Sequence, residues 1–284
     1  MQLVNSFDVE PWWTSTPACI DPSEWGTMSD RSEAPMHAYL DLCDEAGVKS
    51  TFFFIGWYAK NFPAMVREVV ARGHEIGCHS LTHEDIDTLT TAEFRENTIQ
   101  AKAMIEDAAG IGIDAYRAPC FSFPPARTRE LLSELVDLGF GLDSSITTAG
   151  RIHGGGHAKA DFPKPQNLKA SLGVDIFEVP VPGVKIGNRE LTVFGGGYLR
   201  MAPRPVLNML ARNEAYQVLY LHPHDFDLDL PPLPRSGPVA QMRRKLHVGD
   251  LRRKLLDLFA ASDVKTCGQL RDEHLISATT ASAA

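Results

Sequence analysis

The sequence predicts an α/β fold in which parallel strands alternate with crossover helices. Three observations carry this. Short β-type runs recur between amphipathic stretches, glycines close several of those stretches, and the chemistry-bearing residues gather where the strands end. The pattern is that of a β/α barrel or a doubly wound sheet, and alternation alone does not separate them. The 284 residues suffice for one large domain or two small ones.

Taken in order, Gln2–Phe7 reads as a strand with a polar end, its weak alternation expected of a strand covered on both faces. Ser32–Ala46 reads as a helix stopped by Gly47. Ser50–Ile55 is a dense β-type run. Phe62, Met65, Val66, Val69 and Val70 mark an amphipathic helix that Gly73 ends. His74–Cys78 is the next strand, and Thr91–Ala108 a helix with Thr91 as N-cap. Tyr116 lies at a strand end, Pro124–Leu138 is helical before Gly139, and Phe140–Asp143 closes another strand. Val218–Leu221 is a late strand, Val239–Ala260 a helix striped by Leu251, Leu255 and Phe259, and Val264–Thr266 the last strand. Residues 144–200, rich in Gly, Pro and His, read as an elaborated loop region with short strands. No GxGxxG or GxxxxGKS loop follows the first strand, so nucleotide-binding Rossmann and P-loop readings lose support.

Composition narrows the function. Hydrophobic residues at 44% and charged residues at 23% exclude a disordered chain and a coiled coil. Lys+Arg 28 against Asp+Glu 36 gives a net charge of −8, which argues against nucleic-acid binding. No apolar run approaches the roughly 18 residues needed to span a bilayer. The opening MQLVNSFDVEPWW lacks a basic region and apolar stretch of a signal peptide, so a cytoplasmic location is expected. Cys19, Cys43, Cys78, Cys120 and Cys267 are scattered and odd in number, as free thiols in a reducing compartment would be.

Four constellations carry chemistry. His79-Ser80-Leu81-Thr82-His83 places two imidazoles at i and i+4, where one face of a helical turn would offer both to one metal. An isolated HxxxH is more often two unrelated surface histidines. Asp8 and Glu10, at i and i+2 on an extended strand, point the same way, one able to bind a metal and the other to act as base. In Tyr116-Arg117-Ala118-Pro119-Cys120-Phe121-Ser122, an arginine before a proline-stiffened turn can orient a carboxylate bidentately, or make an ordinary structural ion pair. In Leu221-His222-Pro223-His224-Asp225, a histidine closing a late strand is placed for general-acid work.

The order SFDVE, HSLTH, YRAPCFSF, LHPHD resembles the NodB-type polysaccharide deacetylases, carbohydrate esterase family 4. Asp143-Ser144-Ser145-Ile146 and Gly195-Gly196-Gly197-Tyr198-Leu199-Arg200 extend the resemblance to the subfamily of bacterial exopolysaccharide gene clusters, over roughly residues 3–270. The resemblance implies a single-domain distorted (β/α) barrel of about seven parallel strands over residues 1–275, with 276–284 a disordered tail. It implies one divalent metal, zinc with Co2+ or Ni2+ as alternatives, held by His79, His83 and an acid. Members with an adjacent Asp-Asp pair use the first as base and the second as ligand, and Val9 stands in that second place here. Relatives with an Asp-x-acid opening make Asp8 the base and Glu10 the ligand. By the same carry-over Arg117 positions the base, His222 is the general acid and Asp143 tunes it.

Departures from the family pattern are Cys120, where serine is common, and His224, where relatives often carry tryptophan. Trp13, Pro119, Phe121, Tyr198 and His224 are the expected substrate contacts. His153 and His157 flank a glycine run, and Arg243-Arg244-Lys245 with Arg252-Arg253-Lys254 read as a solvated helix face. The implied activity is removal of an N-acyl group, acetyl foremost, from an amino sugar or its nucleotide-, lipid- or polymer-linked form, with peripheral contact to the inner membrane. Two alternatives are a hydrolase of a cyclic imide or ureide and a catalytically silent carbohydrate-binding protein. The complete set Asp8, His79, His83, Arg117 and His222 argues against silence.

Overall fold

The first strand shows how this sequence builds its site. β1 (Gln2–Val9) is buried on both faces from Leu3 onward, which accounts for its lack of alternation. It pairs in parallel with β10 (Tyr216–Leu221) on one side, and on the other with β11 (Asp263–Lys265) and β2 (Thr51–Phe54). The computed structural model describes residues 1–14, 20–149, 163–232, 237–238, 242 and 248–282.

From β2 the sheet continues through β3 (Glu75–Cys78), β4 (Ala115–Tyr116), β5 (Leu142–Asp143), β7 (Phe177–Glu178) and β6 (Gln166–Asn167). The run β10-β1-β2-β3-β4-β5-β7 is parallel throughout, and β6 is antiparallel. A separate hairpin joins β8 (Val184–Ile186) to β9 (Arg189–Leu191). This is a half-barrel of mostly parallel strands with surrounding helices, in one domain. Each of the seven expected strands is present, whereas β6 to β9 fall in the segment read as an elaborated loop.

The helices that flank the first strands follow the local chemistry. α1 (Glu33–Ala46) ends on Gly47 at φ 66°, the left-handed C-cap its glycine allows. α2 (Gly56–Asn61) and α3 (Pro63–Ala71) split at Pro63, which opens α3 instead of continuing one helix from Phe62. α4 (Thr91–Ala109) is capped by Thr90, not Thr91, because Thr90 forms a capping box with Glu93.

α5 (Thr128–Asp137) packs against α4, and α6 (Lys169–Leu172), α7 (Gly196–Met201) and α8 (Arg204–Asn213) follow in the second half. α9 (Leu251–Ala260) buries Leu251, Leu255 and Phe259 as the stripe predicts. Lys254, expected on a solvated face, is buried with them, for a reason given below. α10 (Cys267–Ser282) carries helix into the segment read as a disordered tail.

Cys43, Cys78 and Cys267 are buried free thiols, while Cys19, His153, His157 and Arg243-Arg244-Lys245 lie outside the described residues. Among the described residues no helix is long and apolar enough to cross a membrane.

Candidate active site

Parallel pairing brings the C-terminal ends of β1, β3, β4 and β10 to one edge of the sheet. Asp8 is the penultimate residue of β1, Glu10 follows it, and His79, Arg117 and His222 each directly follow a strand. The strand ends therefore converge the candidate residues without help from long loops.

The ligand atoms of Glu10, His79 and His83 all lie within 4.8 Å of one another, and all three residues are buried. The two imidazoles do not share a helical turn. Ser80 and His83 adopt left-handed backbone at φ 70° and 65°, which folds the HSLTH loop back on itself. Ser80 Oγ accepts a bond from the His83 backbone N–H at 3.0 Å, and the rings meet edge-on at 5.2 Å. Left-handed non-glycine residues are strained, and such strain gathers at functional sites.

His79 Nδ1 lies 2.9 Å from the Arg117 carbonyl oxygen, so Nδ1 carries the proton and Nε2 is the available donor. Burial lowers the His79 pKa to about 4, so the ring is neutral. Burial opposes a charge on His83, but the Glu10 carboxylate outweighs it and raises this pKa. Glu10 Oε2 abuts His83 Nε2 without hydrogen-bond alignment, as two atoms converging on a shared point would. Two nitrogens and one carboxylate form a donor set that fits a borderline divalent cation such as zinc.

Beside this trio stands Asp8. Arg117 Nη1 donates to Asp8 Oδ1 at 2.9 Å and to Ser6 Oγ at 2.7 Å. The rest of the guanidinium donates to Ser144, through Nη2 to Oγ at 2.8 Å and Nε to the carbonyl at 3.2 Å. Arg117 therefore holds Asp8 through one nitrogen, not the expected bidentate fork, because serines on both sides take its other donors. The guanidinium also lies over the Phe53 ring at 4.3 Å, which supports a fully buried cation.

His222 faces Asp8 from β10, with Nε2 4.0 Å from Asp8 Oδ2. Its Nδ1 donates to Asp225 Oδ2 at 3.1 Å, and its backbone N–H to the same oxygen at 3.0 Å. Burial works against a charged His222 ring, but the bond to Asp225 and the charges of Glu10, Asp225 and Asp8 raise its pKa to about 9. The ring is thus a proton carrier at neutral pH. Asp225, not Asp143, is the carboxylate on this histidine.

Asp143 is spent elsewhere. It accepts from the backbone N–H and hydroxyl of Ser145, whose Oγ in turn accepts from Ala118 N–H at 2.8 Å. Its register partner is Glu178, which burial and the Asp143 charge hold well above the usual carboxylate range. The Asp143-Ser144-Ser145 segment thus buttresses Arg117 and the Pro119 turn from behind. That turn contains two consecutive left-handed residues, Cys120 at φ 52° and Phe121 at φ 54°.

Three expected substrate contacts are buried. Trp13 packs edge-on against Trp12, Trp25 and Trp57, so it is core and offers no face to a sugar. Pro119 and Phe121 are also covered, Phe121 by Tyr220 at 5.1 Å, which makes them floor rather than platform. Tyr198 and His224 are partly exposed. The His224 ring stacks on His222 at 4.8 Å, with Nδ1 4.0 Å from Glu10 Oε1, and burial lowers its pKa to about 4.

The residues that sequence reasoning passed over are Ser6, Ser144, Ser145, Arg200 and Asp225. Asp225 carried a readable signal, an acid three residues after His222 across a proline turn, and Ser144 and Ser145 stood inside a recognised motif.

Fold and site together define a barrel protein with the Glu10, His79 and His83 donor trio at its strand C-termini and a facing carboxylate and imidazole. Residues 25–140 match the polysaccharide deacetylase family model, and residues 144–271 match a domain of unknown function (DUF3473). Residues 25–140 therefore carry a polysaccharide deacetylase (NodB, CE4) domain match, and CE4 proteins are among the relatives and structural neighbours that the chain resembles.

It is 36% identical over 81 residues to a chitooligosaccharide deacetylase of Bradyrhizobium, covering 28% of this chain and 37% of that protein. A Mycobacterium smegmatis structure provisionally described as a polysaccharide deacetylase covers 98% of this chain and 91% of its own, with a TM-score of 0.64 and 20% identity. A CE4 family pseudoenzyme from Bacillus anthracis covers 95% of this chain and 66% of its own, with a TM-score of 0.50 and 15% identity. Matches to curated relatives span between 16% and 55% of those proteins' lengths.

Asp8 and Glu10 precede the deacetylase match, whereas His222, Asp225 and Arg200 lie in the second. The site is therefore assembled across both matched segments, consistent with one domain.

Proposed function

We propose that this protein is a metal-dependent hydrolase that removes an N-acyl group, acetyl foremost, from an amino sugar. The amino sugar would be free or nucleotide-, lipid- or polymer-linked and serve surface polysaccharide synthesis, as the DSSI and GGGYLR motifs suggest. One observation carries the reading. Asp8 and His222 face each other at 4.0 Å, each held by a partner of opposite charge, beside the Glu10, His79 and His83 trio.

Amide hydrolysis needs a better nucleophile than water and a proton for the departing amine. Asp8, anchored by Arg117, takes a proton from water as the water oxygen bonds to the acyl carbon. His222, protonated and oriented by Asp225, gives its Nε2 proton to the nitrogen as the C–N bond breaks. The products are a carboxylic acid and a free amino sugar, and atoms and charge balance. A divalent cation held by Glu10, His79 and His83 would supply Lewis acidity to the carbonyl and lower the pKa of water.

Glu10→Ala tests the donor set. Metal content by elemental analysis falls well below one equivalent while the far-UV circular dichroism spectrum is kept. A full equivalent in this variant would remove Glu10 from the donor set. The His83 pKa, raised by Glu10, adds a pH dependence: the metal must displace a proton from this ring, so metal uptake weakens as pH falls. Competition titrations at two pH values measure it.

A further inference from the structure

The glycine-rich GGGYLR segment is a structural clamp with a polar end. A Cβ on Gly195 would lie 2.2 Å from the Tyr220 hydroxyl, and one on Gly196 only 1.8 Å from Asp225 Oδ2. Gly195 also forms a bridge to Tyr220, so the start of α7 is pressed onto β10 and the turn after it. That contact brings Arg200, on the same short helix, against Asp225, with Nε 3.1 Å from Oδ1 and both side chains almost fully buried. The far end of α7 is held by Lys254 of α9, whose Nζ donates to the Arg200 carbonyl at 2.6 Å and the Leu199 carbonyl at 3.4 Å. These bonds are the reason Lys254 is buried and not on a solvated face.

We infer that Arg200, anchored by Lys254, is a positioning residue for His222, acting through Asp225. The inference rests on the deacetylase reading above. Asp225 Oδ2 takes both bonds from His222, and Oδ1 meets Arg200. The titratable and charged groups facing this carboxylate are His222, His224 and Arg200. A buried carboxylate without its permanent cation would be desolvated and uncompensated, and would protonate or turn away. Either change releases the restraint on His222 Nδ1 and misaims Nε2. Arginine suits the place because it keeps its charge when buried and presents several donors from one plane.

A misaimed acid is felt by some substrates and not others. An amine cannot leave without a proton, whereas 4-nitrophenolate can. The test measures kcat and KM of the metal-loaded protein on an N-acetylated chitooligosaccharide and on 4-nitrophenyl acetate. Wild type, Arg200→Gln and Arg200→Lys are compared, with metal content and thermal unfolding followed in each.

Arg200→Gln is expected to lower kcat on the amide by about ten- to a hundredfold, a fraction of the full worth of a general acid. KM and aryl acetate turnover stay within about twofold, the metal equivalent is full, and Arg200→Lys recovers part of the loss. Equal losses on both substrates would mark a merely structural residue and overturn the inference, as would an unchanged amide rate. Wild-type protein that turns over the aryl acetate but no N-acetylated sugar would overturn the deacetylase reading itself. Gly196→Ala, which forces a methyl onto Asp225, is a second variant, expected to share the amide-selective loss and to lower the thermal unfolding midpoint by overpacking.

Discussion

Replacement of Asp8 by asparagine is expected to abolish amide turnover, by about 10²- to 10⁴-fold or to the limit of detection, while metal content and fold are kept. The argument is geometric. Asparagine is the size of aspartate, and its carbonyl oxygen can still accept the 2.9 Å bond from Arg117 Nη1. What is lost is the basic lone pair. The trio of Glu10, His79 and His83 does not depend on Asp8 for a hydrogen bond: the His79 ring is oriented by the Arg117 carbonyl, and the His83 backbone N–H is held by Ser80 Oγ. Elemental analysis and circular dichroism therefore serve as controls, and acetate release as the readout. Retained turnover would take the base role from Asp8.

His222→Ala is expected to lose amide turnover on a similar scale, with the metal again retained, because the imidazole is bound to Asp225 and not to the trio. Its protonation state gives a second handle. A general acid works only while protonated, so activity declines as pH rises through the His222 pKa, which is raised to about 9. The anionic Asp225 favours the imidazolium, so Asp225→Asn lowers that pKa and moves the alkaline limb of the amide pH profile to lower pH. A limb that does not move in Asp225→Asn would separate His222 from the observed ionisation.

The fold was legible where the local chemistry is repetitive. Apolar runs such as Thr51–Phe54 and the glycine at Gly47 mark elements whose burial and caps follow directly from residue type. β6 and β7 were not legible, since each holds two residues and β7 buries Glu178 where a strand pattern would demand an apolar side chain. The site divides in the same way. His79, His83, Asp8, Arg117 and His222 stand at strand ends, and motif order brings them together on the page as the sheet does in space.

What was missed depends on tight backbone reversals and on partners distant in sequence. Asp143 and Asp225 are both acids near recognised motifs, and the proline turn after β10, which folds Asp225 back onto the backbone N–H and ring of His222, decides which one meets it. The helical-turn reading of HSLTH failed because left-handed residues, which spacing does not reveal, make the reversal. Trp13 is a sugar platform by residue type and core by its aromatic neighbours. Lys254 looked solvated because its charge was visible and its two carbonyl acceptors, more than fifty residues away, were not.

The central claim is that the Glu10, His79 and His83 trio and the Asp8–His222 pair together hydrolyse an N-acyl amino sugar. Its most direct test is acetate release from a panel of N-acetylated amino sugars, free, nucleotide-linked and oligomeric, by protein stripped of metal and then reloaded with zinc. The account predicts that at least one member yields acetate and free amine in equal amounts, that stripping removes the activity and zinc restores it, and that the zinc-loaded Asp8→Asn protein yields none. A fully zinc-loaded wild-type protein that releases no acetate from any member, or a stripped protein as active as the loaded one, would contradict it.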